Sequence, residues 1–321
     1  MSRNELELGQ LIHTRHFIRG DSDADFDDLW VQARGAEAAG FDHVWLGDSV
    51  TLLNKGRGDC LTTMAALAMA TSSIRIGTVP LLASLRDPVL LAQALATLDV
   101  ISKGRILIGV SPGPVAEDIQ RQFQACGVPP SQKAGRLSET IEIMRRLWAD
   151  DTINFEGKYD RLEQTGILPK PLQRPSIPIW IAADTGEAGF RRAARLGDGW
   201  ITALGDLGQF IAARRKVDAF AEEFGRAGQV LPTALYATFN LNADGDRART
   251  EGWAWMEDFY NQPRAALGHH CTIFGTPEDC ATLLRGFVGA GLTAVIARFA
   301  SPELDTQRHL FAKTQRLPLA P

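Results

Sequence analysis

The sequence has few cysteines and no long hydrophobic run. Its four cysteines are scattered and form no CxxC pair, so neither a zinc site nor a disulfide framework is indicated. No apolar run approaches the roughly 18 residues that span a bilayer, and the start, MSRNELELGQ, lacks the layout of a signal peptide. We therefore expect a soluble, cytoplasmic protein with reduced thiols, no metal site and no membrane partner.

An excess of charge of either sign is also lacking. The 34 basic and 38 acidic residues leave a formal net charge of −4, which provides no electrostatic footprint for nucleic acid. Hydrophobic residues make up 45% of the 321 residues and charged residues 22%, which is typical of a folded chain with a sizeable core. We expect a globular protein that acts on a small molecule.

The phosphate-binding motifs of ordinary nucleotide-binding proteins are missing. Gly104, Gly109 and Gly113 do not form a GxGxxG fingerprint, and the sequence contains no GxxxxGK[ST]. No group of His, Asp and Glu has the spacing of metal ligands either. Ordinary dinucleotides and nucleoside triphosphates are therefore not indicated.

Strand-like apolar runs alternate with helix-like stretches along almost the whole chain. The runs are 6–12, 41–46, 74–79, 105–110, 177–182, 199–202, 234–241 and 293–298. Several are apolar at nearly every position, as expected of parallel strands that helices cover. Eight such units predict a (β/α)₈ TIM barrel, although an open doubly wound sheet produces much the same local pattern.

Two intervals between the runs are longer than one βαβ step. They are 111–176, after the fourth run, and 242–276, after the seventh, and we interpret them as insertions. Long excursions from a repeating scaffold commonly form lids or binding loops. Because no linker or low-complexity stretch interrupts the chain, we expect residues 1–321 to form a single domain.

The turn 183–186 after the fifth run is the sharpest physical signal in the sequence. Ala183, Asp184, Thr185 and Gly186 precede a helix that begins near Glu187. A small-residue turn of this kind exposes backbone N–H groups and the positive end of the helix dipole, which suits a phosphate group. The alternative is that Asp184 or Thr185 only caps the helix.

Candidate acid and base groups stand at the carboxyl ends of the first two runs, where a barrel builds its active site. His13 follows the first run and is a candidate general base, with a surface or capping role as the alternative. Asp48 follows the second run and either takes part in catalysis or anchors a loop through backbone N–H groups.

The second insertion carries large aromatic residues and a histidine pair. Trp253, Trp255, His269 and His270 are candidates for a substrate lid. Buried packing of the tryptophans and solvation of the histidines are the alternatives.

Three segments together resemble the bacterial luciferase-like monooxygenase family. They are GFDHVWLGDSV (40–50), IRIGTVPLLASLRDPVLLAQALATLDVISKGRILIGVSPG (74–113) and IPIWIAADTGEAGFRRAARLGDGWI (177–201). The resemblance implies a single (β/α)₈ barrel that binds reduced FMN or the deazaflavin F420 at the carboxyl ends of its strands. It also implies that the turn 183–186 holds the cofactor phosphate.

The same resemblance assigns further residues to the cofactor. It implies that the isoalloxazine ring lies over Gly77, Thr78 and Val79, where the family often has a backbone bulge with a non-proline cis peptide. It implies that Ser111 and Gly113 belong to the loop beside the flavin.

One position departs from the family pattern. Many relatives carry a histidine directly after the acidic residue at the end of the second strand, and here Ser49 stands in that place. Because hydride transfer with an alcohol or carbonyl needs a proton partner, this favours a two-component monooxygenase that uses FMNH₂ and O₂, with His13 as a substitute group. An F420-dependent oxidoreductase and a non-catalytic flavin-binding protein are the alternatives. The expected partners are a separate flavin reductase and a second copy of the chain.

Overall fold

The structure is a computed structural model that describes residues 5–14, 27–50 and 57–318. Its strands are β1 (Glu7–Leu11), β2 (His43–Leu46), β3 (Arg75–Leu81), β4 (Ile106–Val110), β5 (Ile153–Glu156), β6 (Arg161–Thr165), β7 (Ile179–Ala182), β8 (Gly199–Thr202), β9 (Thr233–Leu241), β10 (Thr272–Gly275) and β11 (Ala294–Phe299). Its α-helices are α1 (Asp27–Ala38), α2 (Cys60–Ala70), α3 (Pro88–Ile101), α4 (Glu117–Ala125), α5 (Lys133–Ala149), α6 (Glu187–Leu196), α7 (Leu207–Glu223), α8 (Gly245–Tyr260), α9 (Pro277–Gly289) and α10 (Leu304–Thr314).

The eight predicted runs coincide with β1, β2, β3, β4, β7, β8, β9 and β11. The main sheet has the order β10-β9-β11-β1-β2-β3-β4-β7-β8, and β8 also pairs with β9, so the order returns on itself. The predicted (β/α)₈ TIM barrel is confirmed, and the open sheet is excluded. None of the helices formed by the described residues combines the length and the apolar character that crossing a bilayer requires.

Both predicted insertions are present. The interval after β4 contains α4, α5 and the antiparallel hairpin of β5 and β6. The interval after β9 contains α8 and β10, which adds a ninth strand beside the second half of β9. Both insertions begin where a barrel strand ends, which is the position that binding loops occupy in this fold.

Contacts between Cα atoms divide the chain into two compact units. The first unit is Met1–Ile12, Val31–Trp45 and Ala183–Pro321, and the second unit is His13–Trp30 and Leu46–Ala182. The single domain therefore stays a prediction, and each unit is described by itself.

In the first unit, β11 lies between β1 and β9 in parallel register. Phe239 of β9 and Phe299 of β11 pack against Phe311 of α10, with ring centroids 4.8 and 5.4 Å apart. These rings cover the helix side of the sheet. Because successive side chains of a strand point to opposite faces, Thr238 and Arg298 lie on the other side.

In the second unit, β3, β4 and β7 are neighbouring parallel strands, and all five residues of β4 are buried. The helix that follows β3 begins cleanly because Asp87 accepts hydrogen bonds from the backbone N–H groups of Val89 and Leu90, and Pro88 occupies the first helical position. The pairing of β3 with β4 shifts its register between Thr78 and Leu81. This irregularity lies at the carboxyl end of β3, where the resemblance implies a bulge.

Candidate functional site

The loop after β2 in the second unit is held by an ion pair between Asp48 and Arg86. Arg86 Nη1 lies 2.7 Å from Asp48 Oδ2, and Nη2 lies 3.0 Å from Oδ1, which is a bidentate arrangement. The backbone N–H of Leu82 donates a third hydrogen bond to Oδ2 at 3.0 Å. The Asp48 side chain is 1% exposed. These contacts favour the anchoring role over the catalytic one, and the catalytic role of Asp48 stays a prediction.

Charges around Arg86 form a small network. Burial works against the charge of Arg86, but its hydrogen bonds and attraction to Asp48 raise the guanidinium pKa. Burial also acts to raise the pKa of Asp59, but hydrogen bonds from Thr62 and the charge of Arg86 hold it below its ordinary value. Burial raises the pKa of the neighbouring Cys60 thiol well above its ordinary value. The network therefore favours an ionised Asp59 and a neutral Cys60.

Ser49 occupies the position of the family histidine. Among the described residues, its hydroxyl oxygen is buried without a hydrogen-bond partner, and so is that of Ser84 in the 3₁₀ turn after β3. Buried hydroxyl groups in native proteins are normally hydrogen-bonded, so an orphaned one needs an explanation. A polar group of a bound molecule is one explanation for both.

The predicted ring-binding residues at the end of β3 are buried. Thr78 is fully buried, and its hydroxyl donates to the backbone oxygen of Gly109 on β4 at 2.9 Å. The cis peptide bond of this region joins Val79 to Pro80. The expectation of a non-proline cis peptide is therefore wrong, and the proline explains it, because a tertiary amide has a much weaker trans preference.

The loop after β4 has a conformation that requires glycine. Gly113 has φ of +77°, and its N–H donates to Ser111 Oγ at 2.9 Å. A Cβ at this position would lie 3.1 Å from Ile119 and 3.2 Å from Leu82. Lys133 at the start of α5 donates to the backbone oxygens of Gly113 and Pro114 at 2.9 and 2.8 Å. Ser111 and Gly113 thus form a fixed loop, and their role in cofactor binding stays a prediction.

His13 is half-buried and follows β1, as the sequence predicts. It belongs to the second unit, as Asp48 does. Its assignment to catalysis stays a prediction.

The turn 183–186 in the first unit leaves the N-terminus of α6 uncapped by any side chain. Gly186 is the N-cap residue, with φ of +80° and no side-chain hydrogen bond. The carboxylate of Asp184 instead accepts hydrogen bonds from the Thr202 hydroxyl at 2.9 Å and the Ala203 N–H at 2.6 Å. Thr185 and Gly186 are exposed, and no atom of the described residues lies within 4 Å of a Cβ built on Gly186. The capping alternative is excluded for Asp184, and the turn has room for an anion.

The residues predicted as a substrate lid lie on α8 and the segment after it. Trp255 stacks on Phe259 with ring centroids 4.6 Å apart, and Trp253 meets Phe274 edge-on at 5.6 Å. His270 contacts His269 and stacks on Tyr260, with centroid distances of 4.0 and 4.4 Å. The tryptophans and His270 are half-buried, whereas His269 is exposed. Contacts connect Trp255, Phe259, Tyr260, His270 and His269 into one surface, which we name the aromatic wall, whereas Trp253 packs on Phe274.

Arg298, which the sequence analysis did not single out, lies beneath this wall. It is 2% exposed on β11, and its guanidinium carbon lies 5.9 Å from the Trp255 ring centroid and 5.2 Å from that of Tyr260. The sequence did contain a signal for it, because Arg298 is the one charged residue in the run AVIARF (294–299), whose other residues are apolar.

Within the ranges that the structure describes, no group of three or more His, Cys, Asp and Glu side chains has the geometry of a metal site. An open groove of about 490 Å³ runs along the β5–β6 hairpin, and it involves none of the predicted residues.

Comparison with known proteins identifies the family. The model of the luciferase-like monooxygenase family matches residues 6–294. The chain therefore belongs to the luciferase-like monooxygenase family, as the resemblance implies, and it is an oxidoreductase of the class that uses flavin-type cofactors.

Two curated relatives illustrate the chemistry of the family. An F420-dependent glucose-6-phosphate dehydrogenase of Amycolatopsis mediterranei is 34% identical over 312 residues, which is 88% of this chain and 91% of the relative. A 5,10-methylenetetrahydromethanopterin reductase of Archaeoglobus fulgidus is 26% identical over 313 residues, which is 86% of this chain and 90% of the relative.

Solved structures agree with the fold. The monooxygenase RslO1 from Streptomyces bottropensis is similar, with a TM-score of 0.80, 24% identity and coverage of 96% of this chain and 98% of that chain. An F420-dependent secondary alcohol dehydrogenase is similar with a TM-score of 0.80, 21% identity and coverage of 97% of this chain and 98% of that chain. At these identities the likeness shows the barrel fold alone.

Proposed function

We propose that this chain is an F420-dependent oxidoreductase that transfers a hydride between the deazaflavin and a small organic substrate. The observation that carries the proposal is the 34% identity to an F420-dependent dehydrogenase across 88% of the chain. This differs from the FMNH₂ monooxygenase expected from the sequence, which becomes the second candidate. The bound deazaflavin would supply a ring carbon that accepts or donates the hydride.

The turn 183–186 fits the phosphate of such a cofactor. Glu187 and Ala188 begin α6 without a capping side chain, so their N–H groups and the positive end of the helix dipole are available to an anion. The positive φ of Gly186 and the open space at its Cβ position keep the approach clear. Asp184 is held away by Thr202 and Ala203, which reduces its repulsion of a phosphate.

In the second unit, the bulge after Thr78 and the loop of Ser111 and Gly113 are the proposed contacts for the ring. The Asp48–Arg86 ion pair orients the loop that carries Ser49, and the buried Ser49 hydroxyl is a candidate proton donor or acceptor. His13 is the proposed base that takes or returns the substrate proton.

The second candidate is an FMN-dependent two-component monooxygenase. It is favoured by Ser49, because oxygen transfer depends less than alcohol oxidation on a histidine at this position. This candidate requires a separate flavin reductase as a partner. For both candidates we propose a homodimer.

The two candidates are separated by titrating the purified chain with F420, FMN and FMNH₂ and then measuring oxygen uptake. We expect binding of F420 and no reductant-dependent oxygen uptake. Binding of FMNH₂ with oxygen uptake and without F420 binding would overturn the first candidate. Cofactor binding with no turnover across a panel of alcohols, aldehydes and enones would favour a flavin-binding protein.

The phosphate assignment is tested by Gly186→Glu. The new carboxylate would repel the phosphate and fill its approach, so we expect cofactor affinity to fall about tenfold or more. Gly225→Glu is the matched control, because Gly225 has φ of +73° and nothing within 4 Å of its Cβ position. Equal affinities of the two variants would place the phosphate elsewhere.

His13→Ala tests the proposed base. We expect slower turnover with unchanged cofactor affinity, because the substitution removes a proton carrier and leaves the phosphate turn intact. Unchanged turnover would remove His13 from the site.

A further inference from the structure

The least expected group of the first unit is the buried guanidinium of Arg298. Three arginines of the described chain are buried, and Arg214 and Arg308 each have a carboxylate partner, Asp218 and Asp305. Arg298 has no carboxylate within ion-pair distance among the residues that the structure describes, although it is 2% exposed. A buried charge without a counter-charge is costly, so it is seldom retained without a use.

The surroundings of Arg298 solvate the charge without neutralising it. Nε and Nη2 donate to the Thr238 hydroxyl at 3.0 and 2.6 Å, and Nη2 also donates to Met256 Sδ at 3.2 Å. Nη1 donates to the Tyr260 hydroxyl. These bonds use four of the five guanidinium hydrogens, so one hydrogen on Nη1 stays available.

Aromatic rings line the remaining sides of the guanidinium. Its carbon lies 5.3 Å from the ring centroid of Phe259 and 5.8 Å from that of Tyr236. The rings of Trp255 and Tyr260 also surround it, at the distances given above. Cation–π contacts of this kind stabilise a positive charge. The same rings form an apolar environment in which an anion could bind to the guanidinium.

Arg298 lies on the sheet face opposite α10, near the carboxyl end of β11 and against α8. Its register partner on β9 is Thr238, and the adjacent Phe299 packs towards α10. In this fold, inward-facing side chains at the carboxyl ends of strands build the active site.

Three of the four rings around Arg298 are partly exposed. Tyr236 is two residues before Thr238 and shares its face, and it is half-exposed whereas the other residues of β9 are buried. Trp255 and Tyr260 are half-exposed as well, whereas Phe259 is buried. Solvent therefore reaches the rings of Tyr236, Trp255 and Tyr260.

We propose that Arg298 binds a single anionic oxygen of the substrate, which is a ring-containing, largely apolar molecule such as an aryl carboxylate or a phenolate. One free donor suits one oxygen, and the walls of Tyr236, Trp255 and Phe259 suit a flat apolar body. This substrate class rests on the oxidoreductase function proposed above.

The probe is benzoate, with benzamide as the uncharged analogue of the same shape, titrated calorimetrically at low ionic strength and neutral pH without cofactor. We expect wild-type protein to bind benzoate about tenfold more tightly than benzamide, because a hydrogen bond to a buried charge discriminates strongly. Arg298→Gln should abolish this preference. Arg264→Gln should retain it, because the exposed Arg264 lies over the Trp253 ring at 4.4 Å and provides a matched cation–π control.

Equal binding of the two probes by wild-type protein, or a preference that survives in Arg298→Gln, would overturn the proposal. If Arg298→Gln does not fold, the variant Tyr260→Phe tests the proposal instead. Loss of the Tyr260 hydroxyl frees a second Nη1 hydrogen, so benzoate should bind several-fold more tightly and benzamide unchanged. No change in Tyr260→Phe would then overturn the proposal.

F420 affinity is measured on the same preparations. Benzoate preference without F420 binding would leave the anion site standing and overturn the proposed function. F420 binding without a preference for benzoate would overturn the anion site and leave the proposed function standing.

Discussion

Arg86 in the second unit and Arg298 in the first unit hold their charges in different ways. Arg86 is paired in a bidentate fashion with a carboxylate that is 1% exposed. Arg298 has a hydroxyl, a phenol, a thioether sulfur and aromatic rings around it, and no carboxylate in the described part of the chain. A compensated charge fixes a loop, whereas an uncompensated charge keeps its attraction for a ligand.

The largest effect is expected for the compensated pair. Asp48→Asn removes the buried, bidentate counter-charge of Arg86 and leaves only the exposed Asp59 at 3.4 Å, so we expect a loss of about 3 kcal/mol in the free energy of unfolding. Urea denaturation measures it. A loss below about 1 kcal/mol would mean that the pair does not hold the loop.

Arg298→Met sharpens the contrast. It removes a buried charge that has no carboxylate partner among the described residues, so no counter-charge is stranded there, and the hydroxyls of Thr238 and Tyr260 and the sulfur of Met256 lose a donor. We expect a loss of no more than about 2 kcal/mol in the same denaturation experiment. A loss equal to that of Asp48→Asn would erase the difference between the two regions.

The buried thiol of Cys271 is expected to make the protein less stable at alkaline pH. Burial raises the pKa of Cys271 from 9.0 to about 12, with a smaller contribution from Asp184. The folded protein therefore keeps this proton when the unfolded chain has lost it, so stability is complete below pH 9 and decreases as the pH rises towards 12.

For Cys271 alone the loss is about 1 kcal/mol between pH 9 and pH 10. Cys271→Ala should reduce the slope of unfolding free energy against pH by this amount. Cys126→Ala, at an exposed thiol, is the control and should leave the slope unchanged. Equal slopes in all three proteins would contradict the burial argument.

The smallest effect is expected for the outer partner of Arg86. Asp59 has a side chain that is 53% exposed, and its Oδ2 lies 3.4 Å from Arg86 Nη2. Asparagine also caps helices well, so Asp59→Asn isolates the ion pair and should cost less than about 1 kcal/mol. A cost near that of Asp48→Asn would show that both carboxylates compensate Arg86.

The barrel was readable from the sequence because its strands are short runs that are apolar on both faces. Each of the eight runs became a strand, and the two long intervals became insertions at strand ends. The site was less readable. Asp48 stood at the right strand end, but its partner Arg86 lies 38 residues further along the chain, and spacing does not reveal such a pair.

The turn 183–186 shows the same limit. The sequence indicated a small-residue turn before a helix and left open whether Asp184 capped it. Only the fold brings Thr202 and Ala203 to the Asp184 carboxylate, 18 and 19 residues away. Arg298 was overlooked because a single charge in an apolar run does not say which side chains will surround it.

By itself, the sequence determined the succession of strands and helices, the family and the strand ends at which chemistry could occur, because these depend on local hydrophobic pattern and turn residues. The tertiary structure decided which charges are neutralised and which are not. That outcome depends on distances between residues far apart in the chain, such as Arg298 and Met256, which only the packed strands and helices define.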